Sequence, residues 1–556
     1  MGQIDDLANR YVDEWAPLNP TGATSIGVPG YDDQLDDLSP EGFGAQAELI
    51  RRTLVELDPL EPETERELVA KEAMQERLGL DLERYDSGDV ASDINVIASA
   101  VHGLRMIFDL MPTEGEAAVA NISARLGGFP RAIEQYQQSL LAEAARGNVS
   151  ARAQMLEVAE QCTIWTDPAR DNFFGGLASR LTASGALRAE LTRNAEAAAA
   201  ATQGFAQFLR TELAPLGREK EAAGRERYER ASQYFLGARV DLDETYAWGF
   251  EELARLEAEM RTVAAEIAGS GATVDRAVEV LDADPARTVA GKEAFREWMQ
   301  ATADKAIAEL NGTHFDIPLP IRTVEACLAP TSDGGIYYTG PSEDFSRPGR
   351  MWWAVPEAQT TFSTWREAST VYHEGVPGHH LQVGQAVYES ALLNRWQRLL
   401  CWCSGHGEGW ALYAERLMDD LGFLADPGDK LGMLDGQALR ATRVIVDIGM
   451  HLELEIPRDN PFGFHPGERW TPELGLEFLR QHCRMHDDVL RFEWKRYLGW
   501  AGQAPSYKVG ERIWLQARDE VKARKGADFD LKAFHRDALN LGALGLDPLR
   551  KALARL

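Results

Sequence analysis

Apolar residues recur every three or four positions through most of the first 310 residues, with short glycine or proline interruptions, and this rhythm predicts a nearly continuous series of helices. Segments 64–83, 99–111, 131–146, 188–209, 244–267 and 292–311 carry it most clearly. Thr64 and Glu67 stand three apart, the capping-box arrangement of a helix start. The alanine-rich run 194–201 favours helix by propensity and lies inside an amphipathic segment, so it needs no separate role. No repeat of fixed period emerges. The texture changes between Thr313 and Pro356, where 317–320, 334–338 and 350–355 read as short strands with turns. An antiparallel sheet this small could not form a domain alone, so it is expected to be embedded in a helical lobe, with 350–355 as the candidate exposed edge along which an extended peptide could align, or as part of a hairpin that merely covers the core. Helical periodicity resumes near Ser363 and runs to Leu556, with 457–472 as the longest irregular interval.

Composition adds constraints on partners and location. A chain of 556 residues that is 44% hydrophobic and 26% charged is an ordinary globular composition, long enough for a substantial core. No apolar run approaches the roughly 20 residues needed to span a bilayer. The first ten residues lack the basic start and apolar stretch of a secretory signal, and Asp at position 6 argues against myristoylation of Gly2, so a cytoplasmic location is expected. With 58 Lys plus Arg against 88 Asp plus Glu, the net charge of -30 opposes binding to nucleic acid or to anionic membranes, and neither is expected as a partner. Cys162, Cys327, Cys401, Cys403 and Cys483 form no regular set, which argues against a disulfide framework. Cys401-Trp402-Cys403 with His406 nearby offers metal-ligand types, but without a second half-site packed thiols are the favoured reading.

The chemistry concentrates in His373-Glu374-Gly375-Val376-Pro377-Gly378-His379-His380. Without Pro377 and Gly378 this is HExxH, in which two histidines one helical turn apart bind Zn²⁺ and the adjacent glutamate activates a metal-bound water. On a regular helix, His379 would face away from His373, and His380 would share its face but sit about 10 Å along the axis. Pro377 cannot donate its backbone hydrogen bond and its ring clashes with the carbonyl of His373, so a break or bulge is expected here. Gly378 can take the dihedrals this bulge demands. The bulge can return His379 to the place of an ordinary fifth residue, which favours His379 over His380 as the second ligand; the other of the two then lies beside the site, in reach of substrate.

The motif His373-Glu374-Gly375-Val376-Pro377-Gly378-His379-His380-Leu381-Gln382 resembles the hallmark of the bacterial domain-of-unknown-function 885 family, HExxPGHHLQ. The resemblance continues in the blocks 407–415, 443–451 and 502–510, in family order through the last third of the chain. That family is similar in fold to carboxypeptidase Taq and angiotensin-converting-enzyme type zinc peptidases. The resemblance implies a mainly α, large helical zinc-peptidase-like scaffold forming one unit over residues 1–556. Its approximate lobes are an N-terminal helical lobe, 1–240, and a catalytic lobe, 241–556, with the small sheet at 313–356 beside the cleft.

A third ligand must come from elsewhere. Glu408, 29 residues after His379 and flanked by Gly405, Gly407 and Gly409, is the best candidate, because such glycines let its backbone and the metal helix approach closely. The resemblance maps a downstream glutamate ligand onto the same residue. Glu415 shares its face two turns on and is the alternative ligand, or an acceptor behind one. Arg443, Asp447 and His451 recur every four residues through an apolar segment, a stripe costly to bury unless paired. In one reading Asp447 or His451 orients a ligand while Arg443 and His451 contact substrate, Arg443 by gripping a carboxylate; in the other the three form an internal ladder. Tyr507 sits in a Gly, Ala, Pro and Ser-rich interruption and can donate to an oxyanion. His482 and His486, four apart, lack an adjacent glutamate.

The expected function is a metallopeptidase with one zinc ion per chain, held by His373, His379 and Glu408, with Glu374 as general base. Short peptides are the expected substrates, and fold analogy favours exopeptidase action at the carboxyl end. A hydrolase of another amide or ester would share every residue named, and a non-enzymatic metal-stabilised binding protein is the third reading. Nothing in the sequence fixes the oligomeric state.

Overall fold

The computed structural model describes residues 2–170, 172–329, 335–356 and 358–556. The chain divides into two compact units: one combines residues up to Pro62 with Leu78–Glu221, and the other combines Glu63–Arg77 with Ala222–Leu556.

The first unit is helical. Its longest helix, Glu116–Ala145, and the helix Gly185–Phe208 bury Leu126, Phe129, Ile133, Ala195, Ala198 and Phe205 in one core. Periodicity places the first of these helices only over 131–146. The structure carries the helix through Pro130. A proline removes one hydrogen bond and crowds the preceding turn, and burial of Leu126, Phe129 and Ile133 on both sides of it holds the helix together.

The second unit contains all the candidate site residues. Thr64 caps its first helix by accepting from the Glu67 backbone at 3.2 Å, but Glu67 reaches back to the Glu63 amide rather than to Thr64, so only half of the box forms. The helix Leu242–Ala268 packs on Pro427–Leu452, close enough that a Cβ on Gly249 would stand 3.0 Å from Ile445. Helices Thr364–Glu374, His379–Tyr388, Ser404–Asp420 and Ser506–Lys525 complete the part that carries the chemistry.

Five strands accompany these helices: β1 (Thr288–Ala290), β2 (Val324–Leu328), β3 (Ile336–Thr339), β4 (Gly349–Trp353) and β5 (Thr361–Ser363). β1 pairs antiparallel with β5, with Val289 opposite Phe362. Sequence reading misses this pair, because three-residue strands are too short to show alternation. The other sheet has the order β2-β4-β3; β2 runs parallel to β4 and β3 antiparallel, so the expected antiparallel sheet is mixed. The position Gly334 of the expected strand 334–338 lies outside the described residues. Trp353 ties the sheet to the metal helix by donating from Nε1 to Glu367 at 3.0 Å.

Candidate metal centre

The helix Thr364–Glu374 ends one residue after His373, and the next begins at His379. Between them the chain makes a tight turn, with a cis peptide before Pro377. The Gly378 amide donates to Tyr372 O at 3.0 Å and the His380 amide to Gly375 O at 3.0 Å. Gly378 has φ −75° and ψ −132°, and a Cβ there would lie 1.9 Å from the His373 carbonyl oxygen. Its role is therefore to be bare at a close approach of two backbones. The indole of Trp410 fastens the turn from the neighbouring helix, donating to Pro377 O at 2.8 Å.

Gly378→Ala is accordingly expected to destabilise the fold by about 1–3 kcal/mol, the ordinary cost of overpacking, because the clashing atom is main chain and has no rotamer to change. Metal affinity should fall with it. Thermal unfolding and metal titration of the variant test this; parental values in both would mean the turn has room that the geometry denies.

The turn brings the two imidazoles together, with ring centres 4.8 Å apart and planes at 90°. Glu408 Oε2 lies 3.3 Å from His373 Nε2 and 3.3 Å from His379 Nε2, at ion-pair distance but without good hydrogen-bond geometry. Among the described residues, His373, His379 and Glu408 are the one cluster whose donor atoms gather as a metal site requires, all within 4.8 Å of one another. Glycines do place Glu408, though not as the sequence suggests. A Cβ on Gly409 would stand 2.4 Å from Gly510 C, and one on Gly510 would stand 2.1 Å from Gly405 O. The close approach expected toward the metal helix is thus toward Ser506–Lys525 instead.

Glu415 accepts at 2.8 Å from His373 Nδ1, leaving Nε2 turned to Glu408. Burial by itself would depress the His373 pKa; the adjoining carboxylates of Glu408 and Glu415, with Glu374 nearby, outweigh it and raise the imidazole to about 10. Burial likewise opposes ionisation of Glu408, and the charges of His379 and His373 override it, holding the carboxyl well below the ordinary range. Glu374 is 5% exposed, its Oε2 without a hydrogen-bond partner, and its pKa is raised by burial against the pull of His373 and His379.

These residues fit a divalent cation. Two donors each about 2.0–2.1 Å from a tetrahedral ion stand about 3.3–3.4 Å apart, which matches the spacing of Glu408 to each imidazole. Oxygens of Glu374 and Glu408 lack hydrogen-bond partners although both side chains are largely buried, a cost that a coordinated cation would offset. Imidazole with carboxylate is a donor set suited to zinc and its neighbours.

The remaining sequence candidates are placed differently. His380 Nε2 donates to Ile321 O at 2.7 Å and its Nδ1 accepts from Tyr338 OH at 2.9 Å, so neither ring nitrogen is left for metal or for the expected substrate contact. Burial depresses its pKa to about 4. Tyr338, on β3, had no signal in the sequence; its ring lies 6.4 Å from that of His379. Arg443 does not open toward a substrate carboxylate: it donates to Glu493 at 2.7 Å and to Tyr497 OH at 2.8 Å, and its guanidinium lies 4.7 Å from the centre of the Tyr507 ring. Asp447 orients no ligand. It accepts from Tyr228 OH at 2.6 Å and from the Gly502 amide at 2.9 Å, and burial pushes its carboxyl up to about 7. His451 donates to Tyr497 O at 2.9 Å and accepts from the Ala223 amide at 3.1 Å, a bracing role in place of the substrate contact expected of it. It stands 3.9 Å from Asp447, so the three stripe residues form no continuous ladder. Tyr507 OH accepts from Arg496 at 3.3 Å, which leaves its own hydrogen free to donate.

Two further sequence features resolve. The thiols of Cys401 and Cys403 donate to Ala543 O and Phe235 O, and His406 is buried, stacked on Trp514 and bonded to Gln382. His482 pairs with Glu257 at 2.6 Å, whereas His486 caps the start of the helix Asp487–Gly499.

The chain thus has a large, mainly helical fold with small sheets and a buried His–His–Glu cluster suited to coordinating a metal ion, an arrangement compatible with hydrolase chemistry. The chain belongs to the family described as bacterial protein of unknown function, DUF885, whose model matches residues 20–553. No curated protein matches it. Among solved structures, a "putative lipoprotein" from Colwellia psychrerythraea is 20% identical with a TM-score of 0.84, covering 100% of this chain and 98% of its own. A "putative lipoprotein of unknown function" from Shewanella oneidensis is 19% identical with a TM-score of 0.70, covering 99% of both chains. Likeness at this identity carries the fold. The lipoprotein description of both relatives counters the cytoplasmic location expected from the sequence, and that expectation is withdrawn. Among the described residues no helix is long and apolar enough to cross a membrane.

Proposed function

We propose that this protein is a zinc-dependent metallopeptidase of short peptides, with cleavage at the carboxyl end as its favoured mode. The observation that carries the reading is the convergence of His373, His379 and Glu408 beside a buried Glu374 whose free oxygen lacks a partner. The three would hold one ion, which supplies Lewis-acid polarisation of a carbonyl and acidifies water. Glu374 takes the proton from the attacking water and returns it to the leaving amine; its unpartnered carboxylate oxygen is free to do both. Glu415 keeps His373 in one tautomer and orientation. Tyr507, whose hydroxyl accepts from Arg496 and keeps its own hydrogen, would donate to the developing oxyanion.

An extended peptide needs a free strand edge. The sequence suggests residues 350–355, but β4 is the central strand and its backbone is committed on both sides. β3 ends the sheet and carries Tyr338 toward His379 and His380, so it replaces β4 as the aligning edge.

The zinc-loaded protein, incubated with a library of short peptides and followed by mass spectrometry, should release products, stop when a chelator removes the metal, and resume when zinc is restored. Cleavage of other amides or esters with no peptide touched would move the substrate class to the alternative hydrolase. Metal that resists chelation, with no substrate turned over, would indicate the binding protein instead.

A further inference from the structure

One large aromatic stands exposed at the metal centre. Trp402 retains 47% of its surface in the open, unusual for a residue whose transfer from water is so favourable, and its indole lies 6.2 Å from the ring of His379. Its exposure is not the looseness of a surface loop. The residues on either side, Cys401 and Cys403, are buried at 7% and 1%, and both thiols are anchored on carbonyl oxygens, at 2.8 Å to Ala543 and 3.4 Å to Phe235. The outer edge of the indole rests on Gly407, where a Cβ would stand 2.3 Å from the Trp402 ring, so the helix that supplies Glu408 has been left bare to seat it. The Cys-Trp-Cys run therefore works as two clamps holding an aromatic plane in a fixed place. His379 also neighbours Tyr338, ring centres 6.4 Å apart, so this ligand has two aromatic side chains close to its ring.

We propose that Trp402 determines specificity at this site: its indole receives a neutral aromatic side chain of the substrate, next to the bond that the metal centre acts on. This rests on the metallopeptidase reading and adds the substrate class. An apolar group that the metal centre draws within reach of His379 meets the indole, removing two water-exposed faces at once. A flat ring gains more than a branched aliphatic group, because aromatic pairs stabilise one another beyond the area they bury.

Binding can be tested apart from turnover, with the zinc-loaded protein and three metal-seeking probes: acetohydroxamic, phenylacetohydroxamic and cyclohexylacetohydroxamic acids. Calorimetric titration of the parent is expected to show phenylacetohydroxamate bound about tenfold more tightly than acetohydroxamate, with the cyclohexyl probe between. Trp402→Ala should erase most of that tenfold difference while changing acetohydroxamate affinity less than threefold. Trp402→Phe should keep part of it. Gly407→Ala, which moves the indole without removing it, should lower the preference as well. A parent that binds all three probes equally, or a Trp402→Ala protein that keeps the full preference, overturns the assignment while leaving the metal site standing. Failure of every probe to bind the zinc-loaded parent overturns the metal reading and this proposal together.

Discussion

Glu374→Gln is expected to keep both fold and metal while losing about 10²–10⁴ in turnover, the usual range for removal of a general base. The amide has the size of the carboxylate, so packing around this 5% exposed side chain survives. It cannot accept a proton. Because water activation matters in the transition state rather than in substrate binding, the loss should fall on kcat and leave KM nearly unchanged. The comparison requires matched zinc loading and the best peptide from the library screen. A Glu374→Gln enzyme with the parental rate would discard this mechanism even if the metal is where it is expected. Tyr507→Phe should cost less, since it removes one oxyanion donor and leaves the nucleophile intact.

The other large effect is on the metal. Glu408→Ala should release most of the bound zinc during dialysis against a weak chelator, because Glu408 supplies the carboxylate oxygen 3.3 Å from both imidazoles. Glu415→Ala should retain more. Its carboxylate acts on His373 from behind, at 2.8 Å, and loss of such partners typically costs about 10–100-fold in affinity. Metal content after dialysis orders the variants; a Glu408→Ala protein as well loaded as its parent would remove Glu408 from the ligand set.

Periodicity is a local property, and what it could see it saw. The helices at 188–209, 244–267 and 292–311 appear within about three residues as Gly185–Phe208, Leu242–Ala268 and Lys292–Leu310. The break at Pro377-Gly378 was equally legible, because a missing N–H and a ring clash act within one turn. Partners far along the chain were not. The spacing of Arg443, Asp447 and His451 shows that they share a face, but nothing in it reveals that Glu493, Tyr497 and Tyr228 wait there. Strand order failed for the same reason: residues 350–355 look like an edge until β2 and β3 are placed on either side. The sequence favours His379 as ligand without excluding His380, and the bonds to Ile321 O and Tyr338 OH that take His380 out of reach leave no trace in it. Glycines near Glu408 announced a close approach without saying to what.

That last contact has a consequence for how the protein can vary. Most core positions absorb a substitution by letting neighbouring side chains change rotamer. Between Gly405, Gly409 and Gly510 the main chains themselves touch, and no rotamer stands between them to absorb anything. The distance from one helix axis to the other is consequently set by atomic radii. Changes in the surrounding core can accumulate without being transmitted to Glu408, while a single methyl group at the seam is felt in full. The seam works as a mechanical datum, a fixed reference from which the third donor is measured while the rest of the molecule drifts.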